Sequence, residues 1–282
     1  MGKKMEFHIE KDESAVVFLS NAVAGLTRAK ADLLIKSGEV RVNGVKRRSN
    51  AALTRGDVVT VFVPDDVYVK TELKTVYEDD EIVVFDKPKR VAYDALPELY
   101  GAPLFAVHRL DTNTTGLIVF AKTERALGEL SSAFKQRNVR KIYETVVYPS
   151  PEKDNEVLVA YTKLDHRCNI ARVVAYPKDK YRRMITEYFV KERIGDVAVL
   201  RVFPHTGRTH QIRAHLCFAG YPIVGEHKYI RKDAERIDGA PDTQMLAAIE
   251  LEFSDLGNGL EYLNGKCFET QSRFDLGFLR KK

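Results

Sequence analysis

His108-Arg109-Leu110-Asp111-Thr112-Asn113-Thr114-Thr115-Gly116, running into Leu117-Ile118-Val119-Phe120, is the most informative stretch of the chain. It sets an aspartate in a short polar turn that ends on a glycine and gives way at once to an apolar, β-rich run. Loops carried on a rigid sheet are where catalytic side chains concentrate. An arginine and an aspartate two residues apart also make a common structural ion pair, and the stretch alone leaves both readings open.

Outward from this turn the chain is rich in short strand-like segments: Ile82–Phe85, Gly116–Phe120, Tyr143–Tyr148, Val157–Tyr161, Ile170–Ala175 and Ile185–Val190. Ile194-Gly195-Asp196 reads as a hairpin turn into Val197–Phe203. Two helices are expected among them. Thr123–Arg137 is amphipathic, with Leu127, Leu130 and Phe134 on one side, Glu124 in its first turn, and Lys135 and Arg137 in its last. Thr209–Ala219 is the second, stopping at Gly220. Many strands with few intervening helices predict an α+β domain on a mixed, largely antiparallel sheet rather than a doubly wound α/β fold.

Toward the N-terminus the pattern changes. Ala15–Ala24 reads as a helix closed by Gly25, and Thr27 stands where the N-cap of a second helix belongs, with Ala29, Leu33 and Leu34 facing inward and Gly38 as its stop. Val40 and Val42 flank Arg41, Asn43-Gly44 is a two-residue hairpin signal, and Asp57–Val63 is a further strand. The chain's net charge is only +5, yet residues 28–56 hold eight bases (Arg28, Lys30, Lys36, Arg41, Lys46, Arg47, Arg48 and Arg55) against two acids. That is the footprint of phosphate binding. A solvated basic face would look the same. The expected division is residues 1–66, a linker at 67–75, and a second domain at 76–282.

Composition excludes several classes. Hydrophobic residues make up 44% and charged residues 30%, ordinary for a globular protein. No run approaches a membrane span, and Met1-Gly-Lys-Lys-Met-Glu leads into no apolar segment, so a cytoplasmic protein is expected. Cys168, Cys217 and Cys267 are odd in number and far apart, against a disulfide framework. The chain has no CxxC pair, and His205, His210 and His215 do not fit a usual zinc spacing, so no metal is expected. A Gly-rich phosphate loop, a GxSxG elbow and HExxH are all absent.

His-Arg-Leu-Asp-x-x-Thr-Thr-Gly closely resembles the active-site motif of the RluA-type pseudouridine synthases, in which Ser usually takes the place of Thr115. Three further segments resemble the family in its order: Asp86-Lys87-Pro88, Arg140-Lys141-Ile142-Tyr143, and His205-Thr206-Gly207-Arg208-Thr209-His210-Gln211-Ile212-Arg213-Ala214-His215, followed by Gly220-Tyr221-Pro222-Ile223-Val224-Gly225. The first 65 or so residues resemble the alpha-L RNA-binding domain first described in a small-subunit ribosomal protein, through Thr-Arg-Ala-Lys, Ser-Gly-Glu-Val-Arg-Val-Asn-Gly and Arg-Gly-Asp. Two departures stand out. Val17-Phe18-Leu19 replaces the usual Arg-Leu-Asp of the first helix, and Lys89-Arg90-Val91 replaces Ala-Gly-Leu after Lys-Pro.

The resemblance implies a cofactor-independent enzyme that breaks the bond between uracil and ribose, turns the base and rejoins it through carbon 5. A stacked base is out of reach, so the target must be flipped into a pocket. By motif position Asp111 is the nucleophile, on ribose or on the ring. Arg213 is its partner, an arginine beside a carboxylate favouring the charged form. Tyr143 packs on the flipped uracil and Arg109 fills the space that the base leaves. Arg208 and Thr209 are read as opening a helix, a natural phosphate site. Arg28, Lys30, Arg41, Lys46, Arg47 and Arg48 are implied to line the RNA groove of the first module. His108, His205, His210 and His215 are read as structural or RNA-contacting, Cys217 and Phe218 as core, and Lys89-Arg90 as a change in RNA contact. The implied partner is RNA, ribosomal RNA of the large subunit ahead of transfer RNA; nothing demands a protein partner or more than a monomer. Two rivals remain: a non-catalytic RNA-binding or assembly factor on the same scaffold, and a glycosylase that would release free uracil.

Overall fold

A computed structural model of the chain describes residues 3–23, 26, 28–63, 73–230 and 237–280. It divides into two compact units, Met1–Glu72 with Ala95–Ala102, and Leu73–Asp94 with Pro103–Lys282.

The first unit has strands β1 (Lys3–His8), β2 (Glu13–Ser14), β3 (Val40–Val42), β4 (Val45–Arg47), β5 (Ala52–Leu53) and β6 (Val58–Val63), and helices α1 (Ala15–Ala22), α2 (Arg28–Ser37) and α3 (Leu96–Tyr100). A four-stranded sheet runs β1-β6-β3-β4, and β2 pairs with β5. Ser14 caps α1 by accepting from the Val17 amide. The helix ends at Ala22, two residues short of the expected end; Gly25 and Thr27 lie outside the described residues. The inward face of α2 is Ala31, Leu34 and Ile35, whereas Leu33 is only half-buried; these pack with Leu19, Val40, Val59 and Val61. The β3–β4 hairpin turns on Asn43 (φ 52°) and Gly44 (φ 78°), the left-handed pair that a tight turn of this hand requires.

The second unit contains β7 (Lys74–Glu78), β8 (Ile82–Lys87), β9 (Phe105–Ala106), β10 (Thr115–Ala121), β11 (Val139–Val147), β12 (Asn155–Asp165), β13 (Ile170–Val174), β14 (Arg182–Ile194), β15 (Val197–Pro204), β16 (Leu246–Phe253) and β17 (Cys267–Glu269), with helices α4 (Glu124–Gln136) and α5 (Gln211–Phe218). All eleven strands form one sheet in the order β13-β12-β14-β15-β11-β16-β10-β8-β7, with β17 added on β16 and β9 on β10. The β10–β16 pair is parallel and the other pairs are antiparallel, as expected for a mixed, largely antiparallel α+β fold. Lys74 and Thr75, read as the end of a linker, instead pair with Asp86 and Phe85.

Thr123 caps α4 by accepting from the Ala126 amide, and Arg137 closes it in the left-handed conformation. Ala126, Leu130 and Ala133 are its fully buried face, packed on Ile82, Val84, Leu117 and Val119, with Leu127 and Phe134 at the margin. Helix α5 lays Ile212 and Leu216 on Tyr188, Leu200 and Val202. It begins at Gln211, not Thr209, because His210 takes a left-handed backbone (φ 53°). Arg208 and Thr209 therefore precede the helix rather than open it. Phe218, expected in the core, is 48% exposed, since its position on α5 points away from the sheet.

Gly116 explains the end of the Asp111 motif. Its φ is +99°, and a Cβ there would overlap the Ala248 carbonyl oxygen. Only glycine lets β10 lie this close to β16 in that conformation.

Candidate active site

Cross-strand register builds the site. Tyr143 of β11, Ala248 of β16, Gly116 of β10 and Lys87 of β8 stand in one row across four strands. The loop carrying Asp111 rises from the start of β10, while Tyr143 reaches the same region from two strands away. Between them Ala248 of the central strand is buried.

The Asp111 loop is tied down on several sides. Thr114 donates its amide to the Asp111 carbonyl at 3.0 Å, closing the turn. Gln244 donates to the Thr114 hydroxyl at 2.9 Å. The fully buried Lys87 donates to three carbonyls, those of Pro88 (2.9 Å), Val91 (2.7 Å) and Thr112 (3.0 Å). It thus joins the Lys-Pro turn to the residue after Asp111. Burial pushes Lys87 down to about 7, with the charge of Asp111 opposing. His108 accepts from the Val119 amide through Nε2 at 3.0 Å and stacks on Phe134, with ring centroids 4.5 Å apart. Burial, helped by Lys141, lowers it to about 3, so it is a neutral structural imidazole.

Arg213 approaches from α5. Its Nη1 donates to Asp111 Oδ2 at 2.7 Å, while Nε and Nη2 donate to the two oxygens of Glu226 at 2.6 and 2.9 Å. Its guanidinium carbon lies 5.4 Å from the centre of the Tyr229 ring. Burial works against the charge of Arg213, but the bonds to Glu226 and then to Asp111 outweigh it and its pKa is raised. Glu226 Oε1 also accepts the amides of His227 (3.0 Å), Lys228 (2.7 Å) and Tyr229 (3.4 Å). Burial would raise the pKa of Glu226; Arg213 and these amides hold it low instead.

The other oxygen of Asp111 faces His210, whose Nε2 is 3.8 Å from Oδ1. The Tyr229 hydroxyl accepts the Ala171 amide at 2.8 Å and lies 2.7 Å from His210 Nδ1. Burial lowers the His210 pKa, opposed by Asp111. Gln211 anchors the start of α5 by donating to the Ile185 carbonyl (2.9 Å) and the Thr186 hydroxyl (3.0 Å). His215, bonded to the same hydroxyl at 2.9 Å, is lowered by burial to about 4. His205 lies apart from Asp111, with Nε2 2.8 Å from Glu187.

Asp111, His210, Gln211 and Arg213 are among the residues lining a cavity of about 620 Å³. Asp111, Tyr143, Arg213, Arg109, Arg208 and Thr209 all line it, whereas His205, His215, Lys89 and Arg90 do not. Arg109 is exposed and donates to the Thr209 hydroxyl at 2.6 Å. Burial raises the pKa of the Tyr143 hydroxyl, and Asp111 adds to the effect. Arg208, whose Nε donates to the Arg183 carbonyl at 3.1 Å, has its pKa lowered by burial and by Arg182 and Arg137.

Arg90 takes φ +64°, the conformation that glycine would favour, and pairs with Asp242 at 2.6 Å. The turn after Lys-Pro thus keeps a left-handed residue without a glycine, at a cost of about 1 kcal/mol. In the first unit, Arg28, Arg41, Lys46, Arg47 and Arg48 are exposed, and Lys30 is half-buried. Arg41 and Lys46 stand directly opposite each other on β3 and β4. Like charges in that position repel, and a bound polyanion relieves them. Glu250, Cys267 and Glu269 come close enough to hold a metal ion, but Glu250 is engaged by Arg201 (3.3 Å) and Arg140 (3.8 Å), and none of the three lines the cavity.

Glu226 was not singled out by sequence reasoning. It follows Gly225 in the last matching segment, and nothing local in the sequence pairs it with Arg213.

Residues 69–217 match the family model of RNA pseudouridylate synthases and residues 16–59 that of the S4 domain. The class is therefore an RNA-modifying isomerase with an appended S4 domain. The chain is 33% identical over 239 residues to an uncharacterized RNA pseudouridine synthase of Synechocystis sp., covering 75% of this chain and 73% of that one. Ribosomal large subunit pseudouridine synthase C of Vibrio cholerae is 30% identical, with 75% of each chain covered. Among solved structures, human RNA pseudouridylate synthase domain containing 1 superposes with a TM-score of 0.59 at 22% identity, over 76% of this chain and 96% of that chain. The chain belongs to the RNA pseudouridylate synthase family. Among the described residues no helix is long and apolar enough to cross a membrane.

Proposed function

We propose that this enzyme isomerises particular uridines in large-subunit ribosomal RNA, with Asp111 as nucleophile, Arg213 as its ion-pair partner and Tyr143 against the flipped base. The observation that carries the reading is the Asp111 carboxylate in the wall of the cavity, held through Oδ2 by Arg213 at 2.7 Å and with His210 Nε2 3.8 Å from Oδ1. Holding one oxygen fixes the carboxylate plane, and fixed geometry is worth several orders of magnitude in rate. The flipped uridine lies in the cavity, Tyr143 bounding the uracil and Arg109 entering the gap in the stack. Asp111 adds to ribose or to the ring as the C1′–N1 bond breaks. After the uracil turns, C5 joins C1′ as the bond to Asp111 breaks and restores its carboxylate; C5 then loses its proton and N1 gains one, so no cofactor is needed. Ribosomal RNA is favoured by relatives named as ribosomal large subunit synthases and by the exposed bases of the S4 domain. That substrate suits a cytoplasmic enzyme.

The test incubates purified protein with transcribed large-subunit ribosomal RNA, and with transfer RNA in parallel, and maps pseudouridine. Site-specific conversion by the wild type and none by Asp111→Asn, at nearly unchanged RNA affinity, is expected. Residual conversion by the variant would sink the nucleophile assignment. Conversion of transfer RNA alone would overturn the substrate, and release of free uracil would point to a glycosylase.

A further inference from the structure

Lys141 has no role in the reading above, yet it lines the same cavity. It lies two residues before Tyr143 on β11, so both side chains leave the same face of the strand, about 7 Å apart along it. Its neighbour Arg140 points the other way and is satisfied there, bonded to Glu252 at 2.7 Å and 3.8 Å from Glu250. Lys141 has no such partner among the described residues. Its ammonium meets only the Phe134 ring, 5.5 Å to the centroid.

The lining holds four cationic side chains, Arg109, Lys141, Arg208 and Arg213, against one carboxylate, Asp111, which Arg213 already engages. A half-buried ammonium without a counter-ion is costly, and burial accordingly lowers its pKa with nothing to oppose it. Such a charge is relieved by an anion entering the cavity. Uracil is neutral, and a carbonyl oxygen would leave the charge uncompensated. RNA brings a phosphate with every nucleotide, and lysine binds phosphate as a point charge.

We propose that the Lys141 ammonium binds the backbone phosphate adjoining the flipped uridine, so that one face of β11 holds the target's base at Tyr143 and its phosphate at Lys141. This rests on the pseudouridine-forming reading of the cavity and adds to it a contact that fixes where the sugar–phosphate chain runs. Lys141 is then a substrate-positioning residue, acting on the approach of the RNA rather than on bond exchange.

The experiment compares wild type, Lys141→Met and Lys141→Arg on a synthetic RNA carrying the mapped uridine. Two further RNAs carry a neutral methylphosphonate, one on the 5′ and one on the 3′ side of that uridine. Lys141→Met should raise KM about ten- to a hundredfold with kcat changed less than about threefold, the size of one charge-assisted hydrogen bond. The slope of log affinity against log salt should become shallower by about 0.7, the value for one single-strand phosphate, and Lys141→Arg should restore it. One of the two methylphosphonates should weaken wild type by a similar factor and leave Lys141→Met unaffected, which also says which phosphate is held. An unchanged salt slope, a loss confined to kcat, or methylphosphonate effects undiminished in Lys141→Met would overturn the assignment. Conversion of the unmodified RNA by wild type tests the underlying reading separately. If no uridine converts, that reading fails, and the salt slopes still decide whether Lys141 meets a phosphate.

Discussion

Glu226→Gln probes the one acid that sequence reasoning missed. Of the carboxylate's two oxygens, Oε1 accepts Arg213 Nη2 and three backbone amides, and Oε2 accepts Arg213 Nε. Glutamine can keep its carbonyl at the Oε1 position and retain those contacts. Its amide nitrogen must then stand at the Oε2 position, donor against donor at 2.6 Å from Arg213 Nε. One charge-assisted bond is lost, about 1.5–3 kcal/mol, and a buried ion pair missing one charge costs about 3–5 kcal/mol in all. Taking about 3–4 kcal/mol, and about 2–4 °C per kcal/mol for a unit of this size, the unfolding midpoint should fall by roughly 6–16 °C. The guanidinium, free to turn about its Nε bond, no longer holds Asp111 Oδ2 in a fixed position. A displacement of about 1 Å is enough for a hundredfold loss in turnover. Thermal melts and single-turnover conversion, run below the variant's midpoint, check both numbers. A melting point within about 2 °C of wild type, together with an unaltered rate, would show that Arg213 does not depend on Glu226.

Acidification and salt supply two further tests. His108 and His215 are neutral in the fold with pKa values near 3 and 4, against 6.5 for an exposed imidazole, so the unfolded chain binds more protons below about pH 6.5. Their contribution is complete above that pH and is lost as the pH falls toward 4, about 2 kcal/mol each at pH 5. Urea midpoints at pH 7 and pH 5 should show the loss, and His215→Gln should shrink the difference; identical midpoints at both pH values would refute it. Replacing Arg47 and Arg48 by alanine should weaken RNA binding and flatten its salt dependence by about 1.4–1.8, two phosphates' worth. An unchanged slope would mean that this hairpin does not touch RNA.

What the sequence disclosed depended on how local the signal was. Asn43-Gly44, Thr123, Gly38 and the Ile194-Gly195-Asp196 turn depend on backbone conformation within a few residues, and each stands where the sequence placed it. Strand β16 was not recognised. Leu-Ala-Ala-Ile is buried on both faces and lacks the alternation that marks a half-buried strand. The start of α5 was misjudged because only a tertiary demand, His210 facing Asp111 and Tyr229, selects a left-handed residue there. Glu226 was invisible for a similar reason. Nothing in Gly-Glu-His-Lys-Tyr says which arginine will arrive.

Strand β16 is also the seam of the molecule. On one side lie β10 and β8, with the Asp111 loop; on the other lie β11, β15 and β14, with Tyr143 and the strand that anchors α5. No other strand in the sheet order joins the two sides, and β16 lies more than a hundred residues downstream of both the loop and Tyr143. During synthesis at about 5–20 residues per second, the Asp111 half and the Tyr143 half wait several seconds or more for their connection. The S4 domain is complete well before then. A ribosome making this protein therefore exposes the S4 domain while the Asp111 loop and Tyr143 still sit in separate pieces, which only Leu246–Phe253 can join into one sheet.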